Sequence, residues 1–160
     1  MCEPRELQPP EHNTTALLGQ AYSRLGHRIV EGVVAAGYPQ RPAHSGVFAH
    51  IDMAGTRLTD LAARANMTPQ AMGELVDDLE QRGYLSRHPD PADRRAKLIV
   101  LSETGRGCMQ AAFDTIGRLE GDLEALLGAR ALNQLRRSLQ RILAEPWERP
   151  ARGRALGGEP

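Results

Sequence analysis

The sequence predicts a mainly α-helical chain with one small β-hairpin, and three observations predict it. Aromatic residues make up only 4% of the 160 positions, and alanine and leucine dominate the apolar set. That composition suits packed helices better than a sandwich or barrel. Long stretches carry apolar residues at spacings of three and four, the period of one helix face. Two short β-prone runs, 84–88 and 97–101, stand together in mid-chain.

Taken in order, residues 1–12 hold Pro4, Pro9 and Pro10 and read as a loose arm. A helix follows over about 13–37, capped by Asn13 or Thr14. Leu18, Tyr22, Leu25, Ile29 and Val33 form its stripe, and Gly37 stops it. A shorter helix over His44–Met53 carries Val47, Phe48 and Ile51, and Gly55 ends that segment. Thr59 suits the cap of the next helix, with Leu61, Ala62 and Ala65 on its apolar side. Asn66 tolerates a left-handed turn. Thr68 followed by Pro69 is a strong helix start, a hydroxyl cap before a proline at the first helical position. That helix runs to Arg82, with Gly83 as its stop. The run between the two strands, 89–96 (PDPADRRA), is too long for a tight turn and should project. Ser102 caps a long helix whose stripe of Ala112, Ile116, Leu119, Leu123 and Leu126 has spacings of four, three, four and three. Such near-heptad spacing suits packing along another long helix. Gly128 breaks it, and a last helix carries Leu132, Leu135, Leu139 and Ile142. The Gly/Arg/Pro-rich tail over 145–160 reads as disordered.

About six helices and a hairpin wing make a winged helix-turn-helix. The turn unit has Ala62 as its small contact, Asn66 as its turn, and Met67, Met72 and Leu75 as anchors. Their offsets from Ala62 are four, five, ten and thirteen, as the packing geometry requires. On a wheel of the second helix, Met72, Leu75, Val76 and Leu79 face inward. Gln70, Gly73, Glu74, Asp77 and Gln81 face outward. Only the first turns of such a helix reach base edges in a major groove. Gln70 is the candidate reader, since its amide pairs bidentately with adenine. Thr68 and Pro69 would lie by the phosphate backbone, where helix N–H groups take an anion. Gly73 lets a groove wall or a thymine methyl come close. Glu74 repels phosphate unless it accepts from cytosine or pairs with an arginine. Asp77 is expected to brace a wing arginine such as Arg94 or Arg95. Asp78 fits either a brace or a solvated flank charge, and Glu80 a solvated one. Arg94 and Arg95 at the wing tip suit a narrow minor groove. Asp93 would orient a guanidinium, and Arg87 and Lys97 would contact phosphates.

The runs TPQAMGELVDDLEQRGYL and PDPADRRAKLIVLSETGR resemble the MarR family of bacterial winged-helix regulators. The family's wing signature stands here as Asp93-Arg94-Arg95, and the residues before it as Leu79, Glu80 and Gly83. The likeness is strongest over 58–105 and holds in outline over 13–144. It implies one domain over 13–144, with the winged head at 56–102 and dimerisation helices at 13–37 and 103–144. It also implies a homodimer on a two-half-site operator, and repression relieved by a small aromatic or lipophilic effector or by oxidation. Many members carry arginine or lysine where this chain has Glu74, which shifts weight to Gln70 and the wing. The branch that senses hydroperoxide uses a cysteine in the first long helix, and no cysteine lies between Cys2 and Cys108. An effector pocket would form between the first two helices and the long fifth one, with Tyr22, His27, His44, Phe48 and Phe113 as candidate linings.

Bulk properties narrow the remaining classes. Lys+Arg and Asp+Glu both number 20, so net charge is 0 and non-specific nucleic-acid binding is disfavoured. The basic residues nonetheless cluster after Gln81, and distribution matters more than the sum. No apolar run approaches the ~18 residues of a membrane span. The N-terminus lacks the apolar core of a signal peptide, so a cytoplasmic protein is expected. Cys2 and Cys108 are not expected to pair. His27, His44 and His50 lack metal-ligand spacing, and no metal or cofactor is expected. No nucleophile–base pair or phosphate loop points to an enzyme. The competing reading is a helical protein-interaction module on the same fold that does not bind DNA.

Overall fold

The computed structural model of the chain describes residues 13–146, the side chain of Arg94 excepted. The arm expected over 1–12, with Cys2, and the tail beyond Pro146 lie outside those residues. The chain divides into two compact units, one ending at Leu119 and the other starting at Glu120. Six α-helices and three strands are present among the described residues.

In the first unit, α1 (Thr14–Ala35) begins on Asn13, whose Oδ1 accepts the Ala16 N–H at 2.7 Å. Of its stripe, Val33 is buried, Leu25 and Ile29 are half-buried, and Leu18 and Tyr22 are exposed, while Val30, off the expected stripe, is buried as well. The apolar face therefore continues beyond the stretch that this unit covers. The helix expected over His44–Met53 is instead a 3-10 turn (Pro42–His44) running into a four-residue helix, α2 (Ser45–Phe48). Tertiary partners end it early. Arg64 donates to the His50 carbonyl at 2.9 Å, and the Asp52 N–H goes to Thr56 Oγ1 at 2.8 Å. A short strand that sequence periodicity does not reveal, β1 (Thr56–Arg57), leads straight into α3 (Leu58–Arg64). Hence Arg57 occupies the cap position and Thr59, expected to cap, lies inside the helix.

After α3 and α4 (Pro69–Gln81) come β2 (Leu85–Asp90) and β3 (Asp93–Leu101). The sheet is antiparallel in the order β1-β3-β2. The strands extend well past the expected 84–88 and 97–101, and only Pro91 and Ala92 remain between them. The long loop is absent because Asp90 closes a tight turn, accepting the Ala92 N–H at 2.8 Å. Pro89 is tolerated because β2 is an edge strand, and the register breaks beside it, between Pro89 and Asp90. Leu61, Met72, Val76, Leu79, Leu85 and Ile99 form the buried centre with Val33, Val47 and Cys108. Each such side chain contributes roughly 1.5–3 kcal/mol by leaving water.

Helix α5 (Glu103–Leu127) is knotted to the base of the hairpin by Ser102. The Ser102 hydroxyl donates to the Gly83 carbonyl at 2.5 Å and accepts the Gly105 N–H at 3.0 Å, as a cap should. The second unit holds the end of α5 and α6 (Ala129–Ala144), joined at Gly128 with φ 77°. There, Arg136 pairs with Glu120. Leu135 and Ile142 on the stripe of α6 remain exposed.

Gly105 marks where α5 approaches the sheet. A Cβ there would sit 2.1 Å from the Tyr84 carbonyl oxygen, whereas one at Gly117 meets nothing within 4 Å. Gly105→Ala should therefore destabilise the fold by about 2 kcal/mol or more through overpacking. Gly117→Ala should stabilise it by up to about 1 kcal/mol through helix propensity. Urea denaturation of the two variants checks the pair of opposite signs.

Candidate nucleic-acid interface

The turn before α4 is built as its residues demand. Asn66 has φ 53°, the one non-glycine residue with positive φ among those described. The Met67 N–H then closes on the Ala62 carbonyl at 2.8 Å. Ala62 is buried, which lets the two helices touch. Thr68 Oγ1 accepts the Ala71 N–H at 3.2 Å, and Pro69 opens the helix. Met72, Val76 and Leu79 point inward and Leu75 is half-buried. Thr68, Pro69, Gln70 and Glu74 are exposed on the other side. A Cβ at Gly73 would make only an ordinary 3.8 Å contact with Leu58. The fold therefore does not require glycine there.

The acidic back of α4 proves to be neutralised from within the unit. Arg87 on β2 binds Asp77 at 2.6 Å and also pairs with Glu80. Burial opposes the Arg87 charge, yet these two carboxylates raise its pKa overall. Asp77 does brace a hairpin arginine, but it is Arg87 at the base rather than Arg95. Arg87, expected to contact phosphate, is held as a strut by these two carboxylates, and Glu80, expected to be solvated, is its partner.

Asp78 is tied to three groups. Its Oδ2 accepts from Arg41 at 2.5 Å and from His44 Nε2 at 2.7 Å, and its Oδ1 accepts from Arg82 Nε at 3.0 Å. Desolvation pushes the Asp78 carboxyl up, but the bonds from Arg82, Arg41 and His44 outweigh it and hold it down at about 2. His44 is fully buried. Its Nδ1 accepts the Arg41 N–H at 3.1 Å, so Nε2 must carry the proton given to Asp78. Burial, above all, lowers the His44 pKa against the pull of Asp78. Sequence reasoning missed the Arg41 and His44 arms of this clamp because both lie more than thirty positions from Asp78.

The wing has a brace of its own. Arg57 on β1 donates to Asp90 Oδ2 through Nε at 2.8 Å and Nη2 at 2.5 Å. The Ala92 N–H and then Arg57 depress the Asp90 carboxyl, and Asp90 in turn raises Arg57. Asp93 accepts the Arg95 backbone N–H at 3.0 Å and so shapes the strand start. Arg95 and Lys97 are exposed on β3, and Arg94 lies between Asp93 and Arg95 on the same strand.

Behind the head lies a cavity of about 200 Å³. It brings together Tyr22, Phe48 and Phe113 from the five residues expected to line a pocket. His27 and His44 are not among its walls. His27 is exposed beside Glu31 at 3.4 Å, and His44 is committed to Asp78. The sequence reading also missed Cys108, which is on the wall with its thiol pushed up to about 11 by burial.

The Asp78 clamp makes stability pH-dependent in two steps. Because folding lowers the His44 pKa, the unfolded chain takes up that proton first, and stability falls as pH drops below 6.5. The Asp78 contribution is complete above 3.8 and is lost as pH falls towards about 2. His44→Gln should remove the first step and Asp78→Asn the second, read as urea midpoints across the pH range. Unchanged profiles would show that the clamp does not bear load.

Comparison with known proteins places this geometry. The MarR family model matches residues 41–96, from the turn before α2 to the wing. The transcriptional regulator HosA of Escherichia coli O111:H- is 28% identical over 94 residues, 54% of this chain and 70% of that protein. CouR from Rhodococcus jostii RHA1, crystallised with p-coumaroyl-CoA, is 26% identical over 89% of this chain and 100% of its own, with TM-score 0.68. A structure of the transcriptional repressor CouR bound to a 23-mer DNA duplex is 27% identical over 86% of this chain and 99% of its own, with TM-score 0.61. Over residues 41–96 the helix-turn-helix and hairpin wing of this chain match the MarR family, and the chain is similar in sequence and fold to transcriptional regulators of that kind.

Proposed function

We propose that the protein is a ligand-responsive repressor that binds a palindromic operator as a homodimer and acts in the cytoplasm, where that DNA lies. One observation carries the reading. The first turn of α4 is exposed and capped, while the acidic residues behind it are already paired. The helix can therefore enter a major groove without three uncompensated carboxylates facing the phosphates. In this reading Gln70 reads a base edge, Thr68 and Pro69 seat a phosphate, and Gly73 admits the groove wall. Glu74, exposed on the same face, accepts from a cytosine amino group or stays in solvent. Arg94 and Arg95 enter the minor groove, and Lys97 takes a phosphate. Arg87 supports the hairpin instead of touching DNA.

Dimerisation is supported by apolar surface left open in each unit, Leu17 and Leu18 on α1 and Leu135, Ile142 and Leu143 on α6. Scattered apolar residues are ordinary on a surface, but repeats along one helix face are interface-like. CouR, a repressor solved with DNA and with p-coumaroyl-CoA, supports the pairing of an operator with a small effector.

Selection of bound sequences from a random DNA pool should return a palindrome with half-sites about one helical turn apart. Light scattering should report a dimer in the same sample. Changing Arg94 and Arg95 together to alanine should weaken binding and flatten its salt dependence by roughly one unit of slope per lost phosphate contact. If affinity and slope were untouched, the wing would have no place on DNA. Gly73→Ala offers a cleaner probe of the groove. The variant should fold as stably as the parent or better, yet bind DNA more weakly in fluorescence polarisation. Equal affinity would remove Gly73 from the interface.

A further inference from the structure

The wing is held by a side chain from the opposite edge of the sheet. Strand β3 lies between β1 and β2, and Arg57 of β1 stands level with Leu98 of β3. The Arg57 side chain spans that strand and puts both Nε and Nη2 on Asp90 Oδ2, at 2.8 and 2.5 Å. Asp90 ends β2 beside the register break and is only 6% exposed. Its other oxygen, Oδ1, accepts the Ala92 N–H and closes the wing turn. One carboxylate thus joins that turn to the far strand. Arg94 and Arg95 follow within five residues, and Asp93 holds the Arg95 N–H. Arg57 also occupies the cap position of α3, where its side chain makes no capping bond. Its backbone therefore serves the helix-turn-helix, and its side chain serves the wing.

We propose that Arg57 is a positioning residue for DNA binding. Through Asp90 it fixes where the wing arginines stand relative to the helix-turn-helix, and it does not itself touch DNA. The proposal rests on the reading above that Arg94 and Arg95 meet the DNA. Two observations favour it over a direct phosphate contact. Two of the Arg57 donors are committed to Asp90. The charges of Asp93 and Asp60 also act on Arg57, so it is outnumbered by carboxylates and adds little positive field of its own. Charge-assisted hydrogen bonds fix geometry firmly, and removing one partner leaves the buried one uncompensated.

The test is fluorescence polarisation at several salt concentrations, with a labelled duplex carrying the palindrome recovered by selection. Asp90→Asn is the informative variant, because charge and position predict opposite signs. Loss of a carboxylate near DNA tightens binding if charge alone matters. A misplaced wing weakens it, here by about fivefold, within the range over which residues of one ion-pair network couple. The salt dependence should flatten as wing contacts are lost. Arg57→Gln should behave alike. On a background of Arg94→Ala with Arg95→Ala, each change should alter affinity by less than about twofold. Arg57→Lys keeps the charge but cannot place two fixed donors on one oxygen, so it should stay weakened. Urea midpoints should show every variant folded at the assay temperature. Asp90→Asn binding as tightly as the parent or more so would overturn the proposal. So would a loss that is undiminished without the wing arginines, or full recovery of affinity and slope by Arg57→Lys. If the double arginine variant itself bound like the parent, the wing reading would fall, and this proposal with it.

Discussion

A carboxylate on the back of the second helix of the turn unit, Asp78, receives hydrogen bonds from Arg41, His44 and Arg82, and the geometry of the head depends on it. Arg82 belongs to the end of α4 itself, so that bond locks the helix terminus. Arg41 and His44 belong to the turn before α2, so the other two fix where α4 lies against the preceding segment. His44 cannot leave easily. It is fully buried, and both ring nitrogens are in use. A buried polar group whose partners are all present rigidifies its surroundings, and the same group with one partner missing is costly.

This clamp also joins two surfaces. Residues 40–49 turn Gln40, Ser45, Phe48 and Ala49 to the cavity, while Arg41 and His44 hold the helix that presents Gln70. One short segment is thus a wall of the cavity and a support of α4. A change in its position would be felt on both sides, because packed interiors shift as units rather than yielding locally.

Charge is sorted with the same economy. A net charge of zero seemed to argue against DNA, as did the acidic second helix. In the fold, Asp77 and Glu80 hold Arg87, Asp78 holds Arg41 and Arg82, and Asp90 holds Arg57. The pairs are internal struts of the head and wing. Arg95 and Lys97 remain exposed on β3, so the positive potential is placed by which cations are left over, not by the total.

Much of the head was legible because its determinants are local. The Asn66 turn, the Thr68 cap with Pro69, the Ser102 cap and the inward set Met72, Val76 and Leu79 each follow from residues within a turn or two. The short strand β1, the early end of α2 and the tight wing turn were not legible. Each has a partner distant in the chain: β3 for β1, Arg64 for the end of α2, and Arg57 for the Asp90 that closes the turn. The site divided in the same way. Sequence by itself determined which residues stand on the exposed face of α4 and which family the chain resembles, because helical period and motif spacing are properties of the chain. Only the tertiary structure decided that Arg87 is a strut, that His44 serves Asp78 rather than the cavity, and that Cys108 and Gln40 line it. Ion-pair choice and burial are settled by which elements meet, and no local pattern encodes that meeting.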